Sequence, residues 1–596
     1  MTEAATTLCA AFQDRVAATP DAVALRTPGD AVGITWREYD RRVRKIAAGL
    51  AALGVRRGDT VAIMMLNRPE FHLCDSATLH LGATPFSIYN TSAPEQIAYL
   101  FGNAGNKVVF TERQFVPRIK EISGSIEHII CVDGPAEGAS TLDDLDSPED
   151  FDFDAAWRAV EPEDLATIIY TSGTTGPPKG VELTHANLIT EARAVRGVFP
   201  VEEGWRILSY LPAAHIADRV TSHYSMMLFG AETTCLDDPR KLAGALPDTR
   251  PHLFFGVPRV WEKFKSAIDM ALAAEPKAVK RNIAQWAIGV GAQAARLTLA
   301  GKPMPPLLSV QHRLADALVL SKLRAKIGLD RARICASGAA PIAPATLEYF
   351  WGLGIPVFEL WGMSETSGLS TSNAPGRVRI GTVGQVVPEV EIKLADDGEI
   401  LTRGPAIMRG YRNDPEKTAE TIDAEGWLRT GDIGALDADG YLSIVDRKKE
   451  LIINEAGKNM SPANIENTIK AECSVLGPVV AIGDARPYVA ALVVLDPEAA
   501  AALASRHGLT ETSPAALAAH PKIRETILAG VRAGNVKLSR VEQVKRFRIL
   551  PAVWEPGGDE LTPTLKLRRK PIAEKYQHEI DEMYGKEPGG DTIDVS

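Results

Sequence analysis

Residues Tyr170 to His185 read Y-T-S-G-T-T-G-P-P-K-G-V-E-L-T-H, and no other stretch constrains the fold as tightly. Ile168 and Ile169 run apolar into it, as the end of a buried strand does. Thr171, Ser172, Gly173, Thr174, Thr175 and Gly176 then form a polar loop that ends in Lys179. Glycines let the backbone turn its N–H groups toward an anion, the hydroxyls add donors, and the lysine adds a full charge. This is the chemistry of a loop that wraps a polyphosphate. It is not a Walker A loop, because Pro178 stands where the second glycine of G-x-x-x-x-G-K-[ST] belongs. An ordinary Gly/Thr turn is the competing reading of so short a motif.

Around this loop, helical patterns alternate with short apolar runs through the first two-thirds of the chain. Tyr39 to Leu53 is helical in pattern and leads through Gly54 to the strand Thr60 to Met64. Leu253 to Gly256, Arg333 to Ala336 and Val357 to Leu360 are further short runs ending at Gly or Ser, or close to them. The alternation predicts α/β layers with largely buried strands and a ligand at the strand C-termini. Asp143 to Asp154 reads as a solvated connector.

From Gly398 the pattern changes to period two in Glu399 to Thr402 and Tyr441 to Val445, with a hairpin signal at Asp439-Gly440. The expected fold is therefore α/β. A large N-terminal domain of layered α/β subdomains carries a β-barrel-like element, and a small α+β domain follows. The charged run Asp446-Arg447-Lys448-Lys449-Glu450 sets the boundary, giving domains 1–446 and 447–596. Within the second, Pro462 to Glu472 reads as a helix and Val489 to Leu495 as a strand, while the Gly/Pro/Asp-rich tail 585–596 reads as disordered.

At 596 residues the chain exceeds one ordinary core, and 45% hydrophobic with 24% charged residues is the composition of a globular protein. A net charge of −10 argues against nucleic acid as the main partner. The six cysteines contain no C-x-x-C pair and the 11 histidines no H-x-x-x-H, so neither a zinc site nor a disulfide framework is expected. Met1 to Ala18 lacks the pattern of a secretory signal, and no run of ~18 apolar residues occurs. The expectation is a cytoplasmic protein. Peripheral membrane contact stays open, because Pro276 to Leu320 holds long helical patterns that begin with Lys277, Lys280 and Arg281. A helix packed on its own domain explains that pattern too. The oligomeric state leaves no local signature.

Four more constellations follow in order. Leu360-Trp361-Gly362-Met363-Ser364-Glu365-Thr366 places a carboxylate after a strand, suited to Mg²⁺ or to a helix cap. Ser337-Gly338-Ala339-Ala340-Pro341 is small enough to let a flat ring lie on backbone, or is a plain turn. Trp427 to Asp432 ends in an acceptor carboxylate, and Leu561-Thr562-Pro563-Thr564-Leu565-Lys566-Leu567 carries a lysine on a short loop. Each has a bland reading alone. Their joint order resembles the motif ladder of the adenylate-forming superfamily, which includes acyl-CoA synthetases, peptide-synthetase adenylation domains and beetle luciferases. The resemblance runs from about Trp36 to Lys570.

That resemblance implies a reaction in which a carboxylate attacks the α-phosphate of Mg-ATP and a thiol then displaces AMP, with coenzyme A as the acceptor. It implies that Thr171 to Gly176 and Lys179 hold the β- and γ-phosphates, that Glu365 binds Mg²⁺, and that Thr366 touches the α-phosphate. Gly338, Ala339, Ala340, Trp361 and Gly362 would frame the adenine, with Asp432 and Arg447 on the ribose. Lys566 would be the catalytic lysine, His215 of Leu211 to His215 would flank the acyl pocket, Lys449 would be the hinge, and Gly457 and Lys458 would line the pantetheine path. Trp361 stands where many members carry tyrosine, and Leu565 where most carry glycine. The T-P-T-L-K form, with Tyr210 to Arg219, Val257 to Glu262 and Leu318 to Lys322, resembles the long-chain and "bubblegum" acyl-CoA synthetases. A long-chain fatty acid is the substrate this implies. The alternatives are an acyl-AMP ligase serving a carrier protein, a luciferase-like oxygenase, and an inactive lipid-binding relative.

Overall fold

The computed structural model describes residues 5–595 apart from 123, 125, 149, 172–176, 456–457, 563–564, 588 and 590. Among the described residues, two large sheets dominate the first 400 positions. The first has eight strands in the order 410–411, 179–184, 165–171, 84–87, 60–64, 108–111, 128–131 and 140–141. It is parallel except where Lys179–Thr184 pairs antiparallel with both of its neighbours. The second has nine strands, with a parallel centre running from Val357–Trp361 through Ile334–Ser337, Leu253–Phe255, Arg206–Ser209 and Glu232–Cys235 to Val23–Arg26.

The largest apolar cluster joins the two sheets. It takes Val61, Ile63, Phe110 and Ile169 from the first, and Leu25, Ile207, Leu253 and Phe358 from the second. The helix Pro69–His80 lies between them and is buried on nearly every side, including His72, Asp75 and His80. A helix enclosed in this way needs its polar groups paired. Asp75 accepts from His223 Nε2 and forms an ion pair with Arg219 Nη1, both at 2.8 Å, and His223 Nδ1 meets His72 Nδ1 at 2.8 Å. Burial, with the neighbouring His223 and Arg219, pushes His72 well below the ordinary imidazole range. The two Nδ1 atoms share one proton between them, and His223 Nε2 donates to the carboxylate of Asp75.

The expected strand Thr60–Met64 and helix Pro462–Glu472 have the bounds read from the pattern. The helix expected at Tyr39 to Leu53 begins earlier, at Trp36, where Thr35 caps it by accepting from Glu38 N. The barrel-like element is an open antiparallel sheet of Glu391–Leu394, Glu399–Arg403, Leu428–Leu436 and Leu442–Arg447, closed over Trp361, Val383, Ile400 and Leu442. Beyond it, residues 452–595 build their own apolar clusters around Val489–Leu495, sharing no member with those before Ile444.

The tail corrects the sequence reading. Thr592–Asp594 is a strand paired antiparallel with Val544–Leu550, and Val595 is buried. Gly, Pro and Asp content favours disorder in isolation, but here the open edge of a sheet supplies the missing backbone partners.

Candidate active site

The C-terminal ends of both sheets open on one cleft of about 2210 Å³, whose other wall is the C-terminal unit. Single small-ligand pockets run to roughly 300–1,000 Å³, so this one has room for two substrates at once. Thr171, Lys179, His215, Ala339, Ala340, Trp361, Gly362, Glu365, Asp432, Arg447, Lys449 and Lys566 all line it. Gly338 and Thr366 sit just behind that lining. Lys458 lies outside it, in the Ile452–Ile453/Asn459–Met460 hairpin. Ser172, Gly173, Thr174, Thr175, Gly176 and Gly457 lie outside the described residues.

The loop at 172–178 joins two antiparallel strands, so Thr171 and Lys179 face each other as a cross-strand pair. Lys179 Nζ stands 5.0 Å from the ring centre of Tyr411, a cation–π contact. The same Tyr411 donates its hydroxyl to Glu365 Oε1 at 2.9 Å. One aromatic ring thus ties the lysine of the first motif to the carboxylate of the third. Burial, and then the charges of Lys417 and Lys449, lowers the Lys179 ammonium from its usual range.

Glu365 sits in the short 3₁₀ turn Ser364–Thr366, and its backbone carbonyl accepts from Met408 N at 2.9 Å. Among the described residues no group of three or more His, Cys, Asp or Glu converges to hold a metal. A single buried carboxylate fits a hard cation that completes its shell with phosphate oxygens and water.

Asp432 and Arg447 are partners across two adjacent strands. Arg447 Nε reaches Asp432 Oδ1 at 2.7 Å, while Trp361 Nε1 donates to Asp432 Oδ2 at 2.8 Å. Tryptophan at position 361 therefore does more than offer a ring face: its N–H fixes the carboxylate that faces the cleft. Burial raises the Asp432 carboxyl above its usual range, against the opposing pull of Arg447 and Trp361.

Lys566 enters from the C-terminal unit on a turn closed by Thr562 N→Lys566 O at 2.8 Å and Lys566 N→Thr562 Oγ1 at 3.0 Å. Leu565 adopts φ 65°, which costs a non-glycine residue ~1–2 kcal/mol. Its half-buried side chain packs against the cluster of Leu492, Trp554 and Leu561, which offsets that strain. The Lys566 side chain is exposed to solvent within the cleft, whose walls enclose it. That enclosure, and then Arg447, lowers its ammonium, opposed by Asp432, Glu365 and Glu450. His215 faces it across the cleft. Enclosure and the charge of Lys566 push the imidazole down to about 3, so His215 is neutral, and its Nδ1 caps the helix Ile216–Asp218 by accepting from Ala217 N.

The charged run at the boundary is a set of staples. Asp446 accepts from Ser461 Oγ at 2.6 Å and from Ala463 N, Lys448 pairs with Asp397 and Glu399, and Glu450 pairs with Arg569, which also clamps Glu466. Lys449 forms no ion pair among the described residues and faces Lys179 instead.

Sequence reasoning missed Tyr411 and Glu191. Glu191, on the helix His185–Val198, accepts from Leu369 N at 2.8 Å and borders the cleft. Burial raises its carboxyl to about 8. Neither residue sits in a motif that signals its role, since each acts on a partner distant in sequence.

Residues 12–412 match the model of the AMP-binding enzymes, and residues 449–588 match the AMP-binding enzyme C-terminal domain. The fadD11 protein of Mycobacterium tuberculosis is 54% identical over 455 residues, covering 76% of this chain and 80% of that one. Long-chain-fatty-acid–CoA ligase FadD15 of the same organism is 36% identical over 93% of this chain and 92% of its own. Long-chain-fatty-acid–CoA ligase ACSBG2 of Gallus gallus is 34% identical, covering 98% and 82%. Among solved structures, the anthranilate CoA ligase AuaEII in complex with anthranoyl-AMP superposes with a TM-score of 0.72 over 96% of this chain and 97% of its own, at 19% identity, a likeness of fold. The chain belongs to the AMP-binding enzymes of the adenylate-forming superfamily.

Proposed function

We propose that this protein activates a long-chain fatty acid with ATP and passes the acyl group to coenzyme A. The observation that carries the reading is the meeting of Lys179, Glu365, the Asp432–Arg447 pair and Lys566 in one cleft, although they come from five separate stretches of the chain. In the first step the fatty-acid carboxylate oxygen attacks the α-phosphorus of ATP, the bond to the β-phosphate breaks, and pyrophosphate leaves. In the second the CoA sulfur attacks the acyl carbonyl, its proton is lost, and AMP leaves.

The residues divide the work by position. Lys179 and Thr171, at the base of the 172–178 loop, hold the β- and γ-phosphates. Glu365 would hold Mg²⁺, which when bound offsets phosphate charge, and Thr366 meets the α-phosphate. Asp432 accepts from the ribose hydroxyls, with its orientation fixed by Trp361 and Arg447. Lys566 bridges the incoming carboxylate and the α-phosphate, where negative charge gathers in the transition state. Neutral His215 faces the acyl group.

The second step needs Lys566 out of the way. Lys449 is the hinge in this reading, between domains 1–446 and 447–596, because rotation there breaks no ion pair of its own. Gly457 and Lys458 line the pantetheine path after the swing. The names of the similar ligases and the uninterrupted 447–460 segment support CoA over a carrier protein.

The test is AMP release from Mg-ATP with carboxylic acids from acetate to very long chains, with and without CoA. Turnover that rises with chain length and requires CoA supports the reading. Adenylate formation that CoA does not discharge points to a carrier protein, and no AMP with any acid overturns acid activation.

A further inference from the structure

The paired helices Ala278–Leu299 and Pro306–Ala315 carry a surface that the reaction does not use. Residues 277–326 hold nine Lys or Arg against one acid, Asp316, in a chain of net charge −10. Asp316 is already paired with Arg324 at 2.8 Å. Lys277, Lys280, Lys302, Arg313, Lys322 and Lys326 are exposed and form no ion pair among the described residues.

Large apolar side chains are exposed on the same helices. Val279, Ile283 and Trp286 follow at helical spacing on the first, and Leu307, Val310, Leu314 and Leu318 on and just beyond the second. Val279 and Leu307 are each 71% exposed. These are seven of the 17 large exposed hydrophobics in the described chain, gathered within 40 residues. The opposite faces are spoken for. Ala284, Ala287, Val290, Gly291 and Ala294 are buried, and a Cβ on Gly291 would lie 2.1 Å from Gly352 O, so the hairpin is seated hard against the helix Pro344–Gly352. An outer face that is apolar and basic together is not what a helix turned to water carries.

We propose that this hairpin docks on an anionic lipid bilayer. The apolar stripe enters the boundary between headgroups and acyl chains, and the lysines extend along it to the phosphates. No helix among the described residues is long and apolar enough to cross a membrane, so the contact is peripheral. Charge selects lipid over the other occupants. A second copy would set one basic face against another, and a nucleic acid would leave the apolar stripe in water. The place also matters. The helix Pro258–Ala273 lines the cleft with Lys263, Ser266 and Met270, and only residues 274–277 separate it from the hairpin. Docking here sets the lipid surface beside a wall of the cleft. The inference rests on the fatty-acid reading only for the use of that nearness.

The test is co-sedimentation of the full chain with vesicles of phosphatidylcholine alone and of phosphatidylcholine with one-third phosphatidylglycerol. Binding is expected to the anionic vesicles only and to weaken with added salt. Each lysine neutralised should lower the partition about fivefold, so Lys277→Gln/Lys280→Gln should lose about 25-fold. Leu307→Ser/Leu314→Ser, at exposed positions that leave the core intact, should lose at least about tenfold. Ligase activity on detergent-dispersed fatty acid should be unchanged in both. Equal binding to neutral vesicles, or full binding by both variants, overturns the proposal. So does a dimer in light scattering that Leu307→Ser/Leu314→Ser abolishes while vesicles go unbound. Absent vesicle binding with intact ligation sinks the docking alone, whereas absent ligation strikes the assigned reaction.

Discussion

Gly362 lines the cleft and Gly338 sits just behind it, yet the structure assigns them very different tolerance to alanine. A Cβ on Gly362 would lie 1.9 Å from Gly368 O and 2.7 Å from its carbonyl carbon, where real Cβ contacts begin near 3.0 Å. The backbone must yield by more than an ångström, and little around it can. Ser370 N is bonded to Trp361 O at 2.9 Å, and Leu369 N to Glu191 at 2.8 Å. The displacement therefore passes into the intervening turn, which carries Glu365 and Thr366. A shift of ~1 Å in a catalytic group costs on the order of 100-fold in rate, and overpacking adds a stability loss of ~1–3 kcal/mol. Gly338→Ala meets first the Cδ1 of Leu360 at 2.7 Å, the far end of a side chain that can rotate, and then Leu360 O at 3.2 Å. An off-rotamer leucine costs ~0.5–1.5 kcal/mol, so about tenfold is the ceiling expected there. ATP–pyrophosphate exchange with a long-chain acid, together with thermal melting, measures both. Gly362→Ala within threefold of the parent at unchanged Tm would refute the steric argument. Equal damage from the two alanines would refute it as well.

Three further outcomes follow from the same geometry. Lys566→Ala should lose adenylate formation by several orders of magnitude and largely keep thioester formation from supplied acyl-adenylate; equal loss of both half-reactions refutes the assignment. Lys449→Pro should slow thioester formation more than adenylation, which single-turnover assays of the two steps resolve, and unchanged CoA turnover removes the hinge. Glu191 has a folded pKa of about 8 against an ordinary 4.5, so between those values the native state holds a proton that the unfolded chain has lost. Stability contributed by this group therefore falls as pH rises from about 4.5 to about 8. Glu191→Gln, which still accepts from Leu369 N, should flatten that part of the Tm–pH curve. Glu191→Ala should cost ~1–3 kcal/mol below about pH 4.5, by orphaning the buried amide, and less as pH rises. A Glu191→Gln protein with the parent's pH profile would contradict the buried, neutral carboxyl.

Where a local pattern decided the structure, the sequence was readable. Apolar runs set off by turn residues, Gly58-Asp59 before Thr60–Met64 and Pro487 and Asp496-Pro497 around Val489–Leu495, gave these strands their bounds, because a strand buried on both faces needs little beyond its own composition. The order of short motifs pointed to one cleft in part for the same reason: those at 170–185, 337–341 and 360–366 each follow the end of a strand in a largely parallel sheet, where such ends gather, whereas Asp432 lies within an antiparallel strand and Lys566 on a loop of the C-terminal unit. Contacts made across the chain were not readable. Tyr411 reaches Glu365 from 46 residues away, and Glu191 reaches Leu369 from 178 away. Neither tyrosine nor glutamate announces such a partner by type or spacing. Trp361 shows how a motif residue can be placed correctly and still be half understood. Its ring was legible as a stacking surface, but its N–H has meaning only once Asp432 is beside it. The strand Thr592–Asp594 depends on the open edge of Val544–Leu550, which the tail's own composition cannot reveal.

The electrostatics of the cleft explain why lysine arrives from both units. Lys179 is disfavoured as a cation by burial and by Lys417 and Lys449, and Lys566 by enclosure and Arg447. Glu365, Asp432 and Glu450 offset only part of this. In the proposed reading, the like charges that meet here from both units disfavour closure until a polyanion enters. A nucleotide triphosphate supplies that charge and favours the geometry in which Lys566 stands beside Asp432 and Glu365. Once pyrophosphate has left, much of the negative charge is gone and the repulsion returns. In the proposed reading the lysine then has less reason to stay, which favours the swing about Lys449 that would admit the thiol. On this argument the order of the two half-reactions is set by which anions the cleft contains.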